Sequence, residues 1–195
     1  MSDDETLRVY ETRAADYADM ARQEPYPTLR AFVTALPEAA HVLDFGCGPG
    51  LDAAHMAAQG CTVEALDASA EMVRLAAARP GVSARQGSFD DLTAESAYDG
   101  IWASFSLLHA PRAYMPRHLA AIARALKPGG LLGLTLKEGT GEKRDRLGRF
   151  YTYYTEAELR ALLAAAGLTV TQVTRGSGTG LDGTASDWIS VTAHA

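Results

Sequence analysis

Val42-Leu43-Asp44-Phe45-Gly46-Cys47-Gly48-Pro49-Gly50 decides how the rest of the chain is read. Apolar residues around an aspartate run into a loop with glycine at every second position, and a helix-competent stretch, residues 52–58, follows at once. That pattern is a buried strand, a turn almost without side chains, and a helix whose free N–H groups face whatever the loop holds. Glycine supplies the positive φ and the close backbone approach that such a loop needs. The next apolar run, residues 61–66, ends at Asp67. An acid at a second strand tip, about 20 residues past the loop, is placed to accept hydrogen bonds from two ribose hydroxyls. Together these features predict a site for an adenosine-containing cofactor.

Spacing narrows the choice. A dinucleotide fingerprint, G-x-G-x-x-G, would put its third glycine at position 51, which is Leu51. Asp44, two residues before the loop, repels a pyrophosphate and attracts an ammonium. The resulting D-x-G-x-G-x-G form resembles the first motif of the class I S-adenosylmethionine-dependent methyltransferases.

Composition sets the frame. At 195 residues, with 47% hydrophobic and 22% charged residues, the chain suits a single soluble domain with its own core. No apolar run approaches the ~20 residues needed to span a bilayer. The first five residues are acidic, the reverse of a secretory leader, so a cytoplasmic location is expected. A net charge of −6 argues against a broad nucleic-acid surface. Cys47 and Cys61 have neither metal-ligand spacing nor histidine partners, and no metal is expected.

Along the chain, residues 1–40 read as helical, broken at Pro25-Tyr26-Pro27, with Thr28 as the expected cap of the helix that follows. Strands are predicted at 41–45, 61–67, 82–86, 98–104 and 131–136. Helices fall between them, with Ser69 capping one and Pro116 in the first turn of another. Thr155-Glu156-Ala157-Glu158 is a capping box that opens a helix ending at Gly167. Two last strands, 168–174 and 188–193, are separated by a Gly/Ser/Thr loop without a helix and so are expected to be antiparallel. The expected fold is an α/β three-layer sandwich around a mostly parallel seven-stranded sheet, with the ligand at the carboxyl ends of the strands. The terminal hairpin further resembles the methyltransferase sheet, whose last strand is antiparallel. In a single domain, 1–195, residues 1–40 would form a helical cover, 41–136 the cofactor half, and 137–195 the substrate side.

The resemblance implies S-adenosylmethionine as cofactor and S-adenosylhomocysteine as product. It also implies roles for particular residues. Asp44, Gly46, Cys47 and Gly48 would face the methionine moiety, and Asp67 the ribose. Ala68 and Met72 would flank the adenine, although Met72 also fits a core position at helical spacing. Ser88 stands where many relatives have an aspartate for the adenine amino group. The N–H of Phe89 is a second contact and Asp90 an alternative acid, while Asp90 and Asp91 equally suit a helix cap. Ser104, Phe105 and Leu107 would present backbone near the transferable methyl. Tyr10 and Tyr17 resemble the N-terminal tyrosines that cover the cofactor, or else belong to an aromatic helix stripe.

His109, just past the fourth strand, is the candidate base, with a structural histidine as the other reading. Residues 137–149 hold five basic and three acidic side chains, a local +2, and lead into Phe150, Tyr151, Tyr153 and Tyr154. Such a basic arm is placed to close over an acceptor carrying a carboxylate or phosphate, or is a solvated loop. With no separate recognition domain, a small-molecule acceptor is expected. A non-catalytic cofactor-binding protein and a nicotinamide oxidoreductase are the alternatives.

Overall fold

The computed structural model describes residues 3–20 and 25–195; the parts of the expected N-terminal helical region at 1–2 and 21–24 lie outside them. Helices α1 (Asp4–Thr12), α2 (Ala14–Met20) and α3 (Pro27–Ala35) precede the sheet. Pro27, rather than Thr28, opens α3, with Tyr26 in the cap position. Proline tolerates the first helical position because its missing N–H has no partner there in any case.

The sheet is built from β1 (His41–Phe45), β2 (Thr62–Asp67), β3 (Val82–Gln86), β4 (Tyr98–Ser104), β5 (Leu126–Lys137), β8 (Thr169–Thr179) and β9 (Ala185–His194). Its order is β3-β2-β1-β4-β5-β9-β8. The first five strands are parallel, and β9 runs antiparallel to both β5 and β8. Helices α4 (Leu51–Ala58), α5 (Ala70–Ala77), α6 (Met115–Ala125) and α7 (Glu156–Ala165) cover it. Ser69 caps α5 and the Thr155–Glu158 box caps α7, as their spacing predicts.

Alternation along each strand divides the core between the two faces. Leu43, Phe45, Ile101 and Ala103 join Leu119, Ile122, Leu159 and Leu163 on one side. Val42 and Trp102 meet Phe32 and Met56 on the other. A parallel sheet buried on both faces explains why these strands read as nearly continuous apolar runs.

Two segments depart from expectation. The last two strands are longer than their apolar runs, because Gly176, Ser177, Gly178 and Thr179 stay paired with β9. The polar arm forms a hairpin of β6 (Glu142–Arg144) and β7 (Phe150–Thr152) instead of a loose loop. Among the described residues, no helix is long and apolar enough to cross a membrane.

β1 and β4 lie side by side, yet the chain leaves β1 toward β3 and returns to β4. This reversal opens a crevice at the carboxyl ends of the strands, where α/β sheets take their ligands.

Candidate functional site

A cavity of about 800 Å³ fills that crevice, closed over by α1, α2 and the end of the β8–β9 pair. Its floor is the loop after β1. Gly46, Gly48 and Gly50 all have positive φ, at 85°, 51° and 74°. Their roles differ. A Cβ on Gly46 would overlap the Ser106 side chain, and one on Gly50 would come within 2.7 Å of the Cβ of Ala76. Beyond Gly48 there is only Tyr17, at 3.6 Å, so this glycine keeps the cavity itself clear.

Three carboxylates gather at this end. Asp67 accepts from the N–H of Gly48 at 2.8 Å and of Ser69 at 2.9 Å, which ties the loop to the tip of β2. Asp52, in the first turn of α4, accepts from the indole N–H of Trp102 at 2.7 Å. The Trp102 ring lies over Gly133 of β5, where a Cβ would overlap it. Asp44 is buried, and its Oδ2 has no hydrogen-bond partner among the described residues. Burial raises the pKa of all three above the usual carboxylate range, and Asp44 is pushed further by the charges of Asp52 and Asp67. A cluster of desolvated acids with an unpartnered oxygen suits a cationic group in the cavity.

A second group on the cavity wall is basic and aromatic. Lys137, at the end of β5, lies 3.8 Å over the ring of Tyr151. Arg149 is buried and held by Asp145 through two nitrogens, at 2.7 and 2.9 Å. Its third nitrogen donates to the hydroxyl of Tyr10 at 3.1 Å. Tyr10 in turn stands 2.8 Å from Nε2 of His109, whose Nδ1 lies 2.7 Å from the carbonyl oxygen of Phe150. Burial lowers the His109 pKa to about 4, so the ring is neutral at physiological pH.

Helix α1 is tied both to the hairpin and to α5. Asp3 caps it and accepts from Arg144 of the hairpin at 2.7 Å, while Thr6 accepts from the N–H of Phe150. Glu11 accepts from the free N–H groups of Ala70 and Glu71 at the start of α5.

Tyr10, Tyr17, Asp44, Gly46, Cys47, Gly48, Asp67, Ala68, Met72, Ser88, Phe89, Ser104, Phe105 and His109, all singled out in the sequence, reach the cavity wall. Leu107 does not. It is fully buried and packs in the core, and Ser106 and Leu108 take its place on the wall. The Ser88 hydroxyl and N–H are both engaged by Asp91 in a capping box, and Asp90 pairs with Arg117 at 2.6 Å. Phe105 has a φ of 52°, an uncommon conformation for a non-glycine residue, at the tip of β4.

Asp52 and Trp188 also line the cavity but were not singled out as site residues. Asp52 had a signal, being an acid two residues past the glycine loop. Trp188 had none, because its place depends on the register between β5 and β9.

Comparison with known proteins finds methyltransferases. A family model described as a methyltransferase domain matches residues 17–173. The chain is 39% identical over 106 residues to a ubiquinone biosynthesis O-methyltransferase of Xanthomonas axonopodis pv. citri, covering 51% of this chain and 44% of that protein. It is 33% identical over 168 residues to a trans-aconitate 2-methyltransferase of Methylobacterium nodulans, covering 82% and 62% respectively. The chain spans about half the length of the curated relatives it matches. A solved structure of Burkholderia thailandensis 1,6-didemethyltoxoflavin-N1-methyltransferase, with bound 1,6-didemethyltoxoflavin and S-adenosylhomocysteine, is similar with a TM-score of 0.77 and 25% identity. That match covers 98% of this chain and 87% of the other.

Proposed function

Because the chain belongs to the class I S-adenosylmethionine-dependent methyltransferases, we propose that it transfers a methyl group to a small, negatively charged acceptor by in-line displacement. The observation that carries this reading is that one cavity is lined both by Asp44, Asp52 and Asp67 and by Lys137, whose ammonium has no carboxylate of the described residues within ion-pair distance. The acidic group fits a ligand with a cationic amino acid end, and the same carboxylates would repel the pyrophosphate of a nicotinamide dinucleotide. The small-molecule acceptors named for the relatives point the same way.

When bound, S-adenosylmethionine supplies a methyl group already activated on a sulfonium. The chain supplies binding, alignment and dryness. Asp67 has lone pairs beyond the two used on Gly48 and Ser69, and these would take the ribose hydroxyls. Asp44 and Asp52 would face the ammonium through the loop. Ala68, Met72 and Phe89 form an apolar slot for the adenine, with Ser88 at its edge. Gly46, Cys47, Gly48, Ser104 and Phe105 would border the methionine chain, with Tyr17 above it. His109 would receive a proton from a protic acceptor. Residues 41–136 would thus hold the cofactor, and 137–195 would shape the acceptor side. The free thiols of Cys47 and Cys61 suit a reducing compartment, and we place the protein in the cytoplasm.

Calorimetric titration with S-adenosylmethionine, S-adenosylhomocysteine and NADH tests the cofactor assignment. Micromolar binding of the two sulfur compounds and silence from NADH is expected; binding of NADH alone, or of none, refutes it. A screen of small acids against matched neutral compounds then tests the acceptor's charge.

A further inference from the structure

We infer that the methyl acceptor is a planar, conjugated carboxylic acid, its carboxylate held by Lys137 and its plane laid against Trp188. This rests on the methyl-transfer reading above and names the substrate class of the same cavity.

Lys137 of β5 pairs with Trp188 of β9, and Trp188 pairs with Gly176 of β8. Cross-strand partners project from the same face of a sheet. An ammonium and an indole are therefore set side by side in the cavity wall, by hydrogen bonds of the backbone rather than by side-chain flexibility. Gly176 makes the arrangement possible, because a Cβ there would overlap the six-membered ring of Trp188.

Charge accounting separates Lys137 from its neighbours. Arg149 is neutralised by Asp145, and Arg175 by Glu138 and Glu156. No carboxylate of the described residues lies within ion-pair distance of the Lys137 ammonium, which rests on the π face of Tyr151 at 3.8 Å. The side chain is half-buried, and burial lowers its pKa. Asp182 and Asp145 act on it only from beyond that distance, so a monoanion placed there would be its direct partner. One compact ammonium matches one carboxylate, whereas a phosphate dianion would call for a second free cation or a guanidinium fork.

The aromatic surroundings give the rest of the acceptor its shape. Tyr26, Phe105 and Trp188 all line the cavity, with ring centroids 6.3 to 6.5 Å apart and inclined planes. Rings in this spacing offer edges and faces to a further flat π system. A saturated or heavily hydroxylated acceptor would leave that complementarity unused.

The test uses the full chain saturated with S-adenosylhomocysteine and three probes titrated by calorimetry: benzoate, cyclohexanecarboxylate and benzyl alcohol. Benzoate carries both features, cyclohexanecarboxylate only the charge, and benzyl alcohol only the plane. Benzoate should bind at least tenfold more tightly than either. Lys137→Met should bring benzoate down to the level of benzyl alcohol, and Trp188→Leu to that of cyclohexanecarboxylate, with S-adenosylhomocysteine affinity unchanged in both. Equal or absent binding of the three probes by wild type that holds S-adenosylhomocysteine overturns this inference alone. So does full benzoate affinity in Lys137→Met, which leaves strand pairing intact and decides the matter even where Trp188→Leu does not fold. Failure of wild type to bind S-adenosylhomocysteine would instead refute the methyl-transfer reading.

Discussion

The hydroxyl of Tyr10 donates a hydrogen bond to Nε2 of His109 at 2.8 Å, across 99 positions of sequence. The direction follows from the other side of the ring. Nδ1 faces the Phe150 carbonyl oxygen at 2.7 Å, and a carbonyl only accepts, so Nδ1 carries the proton and Nε2 the lone pair. The basic nitrogen of His109 is therefore covered by a phenol.

A proton from an acceptor hydroxyl would then reach His109 only by way of Tyr10, whose own proton moves to Nε2 as it takes up another. Tyr10→Phe and His109→Ala should lower kcat on a protic acceptor by a similar factor, about 10² or more. Both should leave an acceptor that reacts as a preformed anion nearly untouched. Steady-state kinetics on the two kinds of acceptor checks this. Full activity of Tyr10→Phe alongside a dead His109→Ala would show that the imidazole works directly.

Asp67→Ala should weaken cofactor binding by about 1.5–3 kcal/mol, the worth of hydrogen bonds to a charged acceptor. Part of that loss comes from freeing the Gly48 N–H, so Asp67→Asn, which keeps an acceptor oxygen, should lose less. Titration of both variants with S-adenosylhomocysteine separates the contributions. An unchanged affinity in Asp67→Ala would mean that the ribose is held elsewhere.

Asp44→Asn should act in opposite directions on stability and binding. It removes a desolvated charge that the Asp52 and Asp67 charges also oppose, so the ligand-free protein should melt higher at neutral pH. The same change should weaken S-adenosylhomocysteine binding about tenfold or more by removing an anion that faces the ammonium. Thermal melts with and without ligand report both. Lower stability of the free variant would show that Asp44 is satisfied in the native state.

Glycine substitutions distinguish two parts of one loop. Gly46→Ala should unfold the protein or displace β4, because the new methyl overlaps Ser106. Gly48→Val should fold, at a cost for its φ of 51°, and lose the cofactor. Circular dichroism with calorimetry checks the pair; retained binding by Gly48→Val would remove the loop from the cofactor site.

Acidification should act through two histidines whose surroundings disfavour the charged ring. Burial lowers the pKa of both His109 and His118 to about 4, against about 6.5 in an unfolded chain. Their neutral rings contribute fully above pH 6.5. Stability is lost as pH falls from 6.5 toward 4, because the unfolded chain takes up protons that the folded one refuses. The raised carboxylates act with the opposite sign, so the effect is read as a difference. A His118→Gln variant should lose less stability than wild type between pH 6.5 and 4 in denaturant titrations. Parallel curves would contradict the assignment.

Residues 41–136 were legible as strands, loop and helices because their signals are local. A strand, a glycine loop and a helix follow one another without interruption, and an acid ends the next strand, so Asp44, Gly48 and Asp67 could be placed from spacing. Thr155 and Ser69 declared their helices in the same way. Residues 137–195 were legible only in outline. Their strands are rich in Gly, Ser and Thr, which carry no apolar alternation, and their pairing extends well past the predicted ends. The Lys137–Trp188 pairing is a matter of register over 51 positions and leaves no mark in either local sequence. The basic arm was visible as charge. That Arg149 turns inward to Asp145 and Tyr10, while Arg144 turns outward to Asp3, depends on the hairpin.

The indole of Trp102 touches Gly133 with its ring and Asp52 with its nitrogen, so it works as a lever between two places that share no function. A glycine-to-alanine replacement at position 133 lies in the middle of a buried strand, away from the cavity wall. It would be filed by any mutational survey as a folding defect. The added methyl must displace the indole, and the indole carries the aspartate with it. Such a variant would disturb the cavity through the Trp102–Asp52 hydrogen bond, from a position that does not line it.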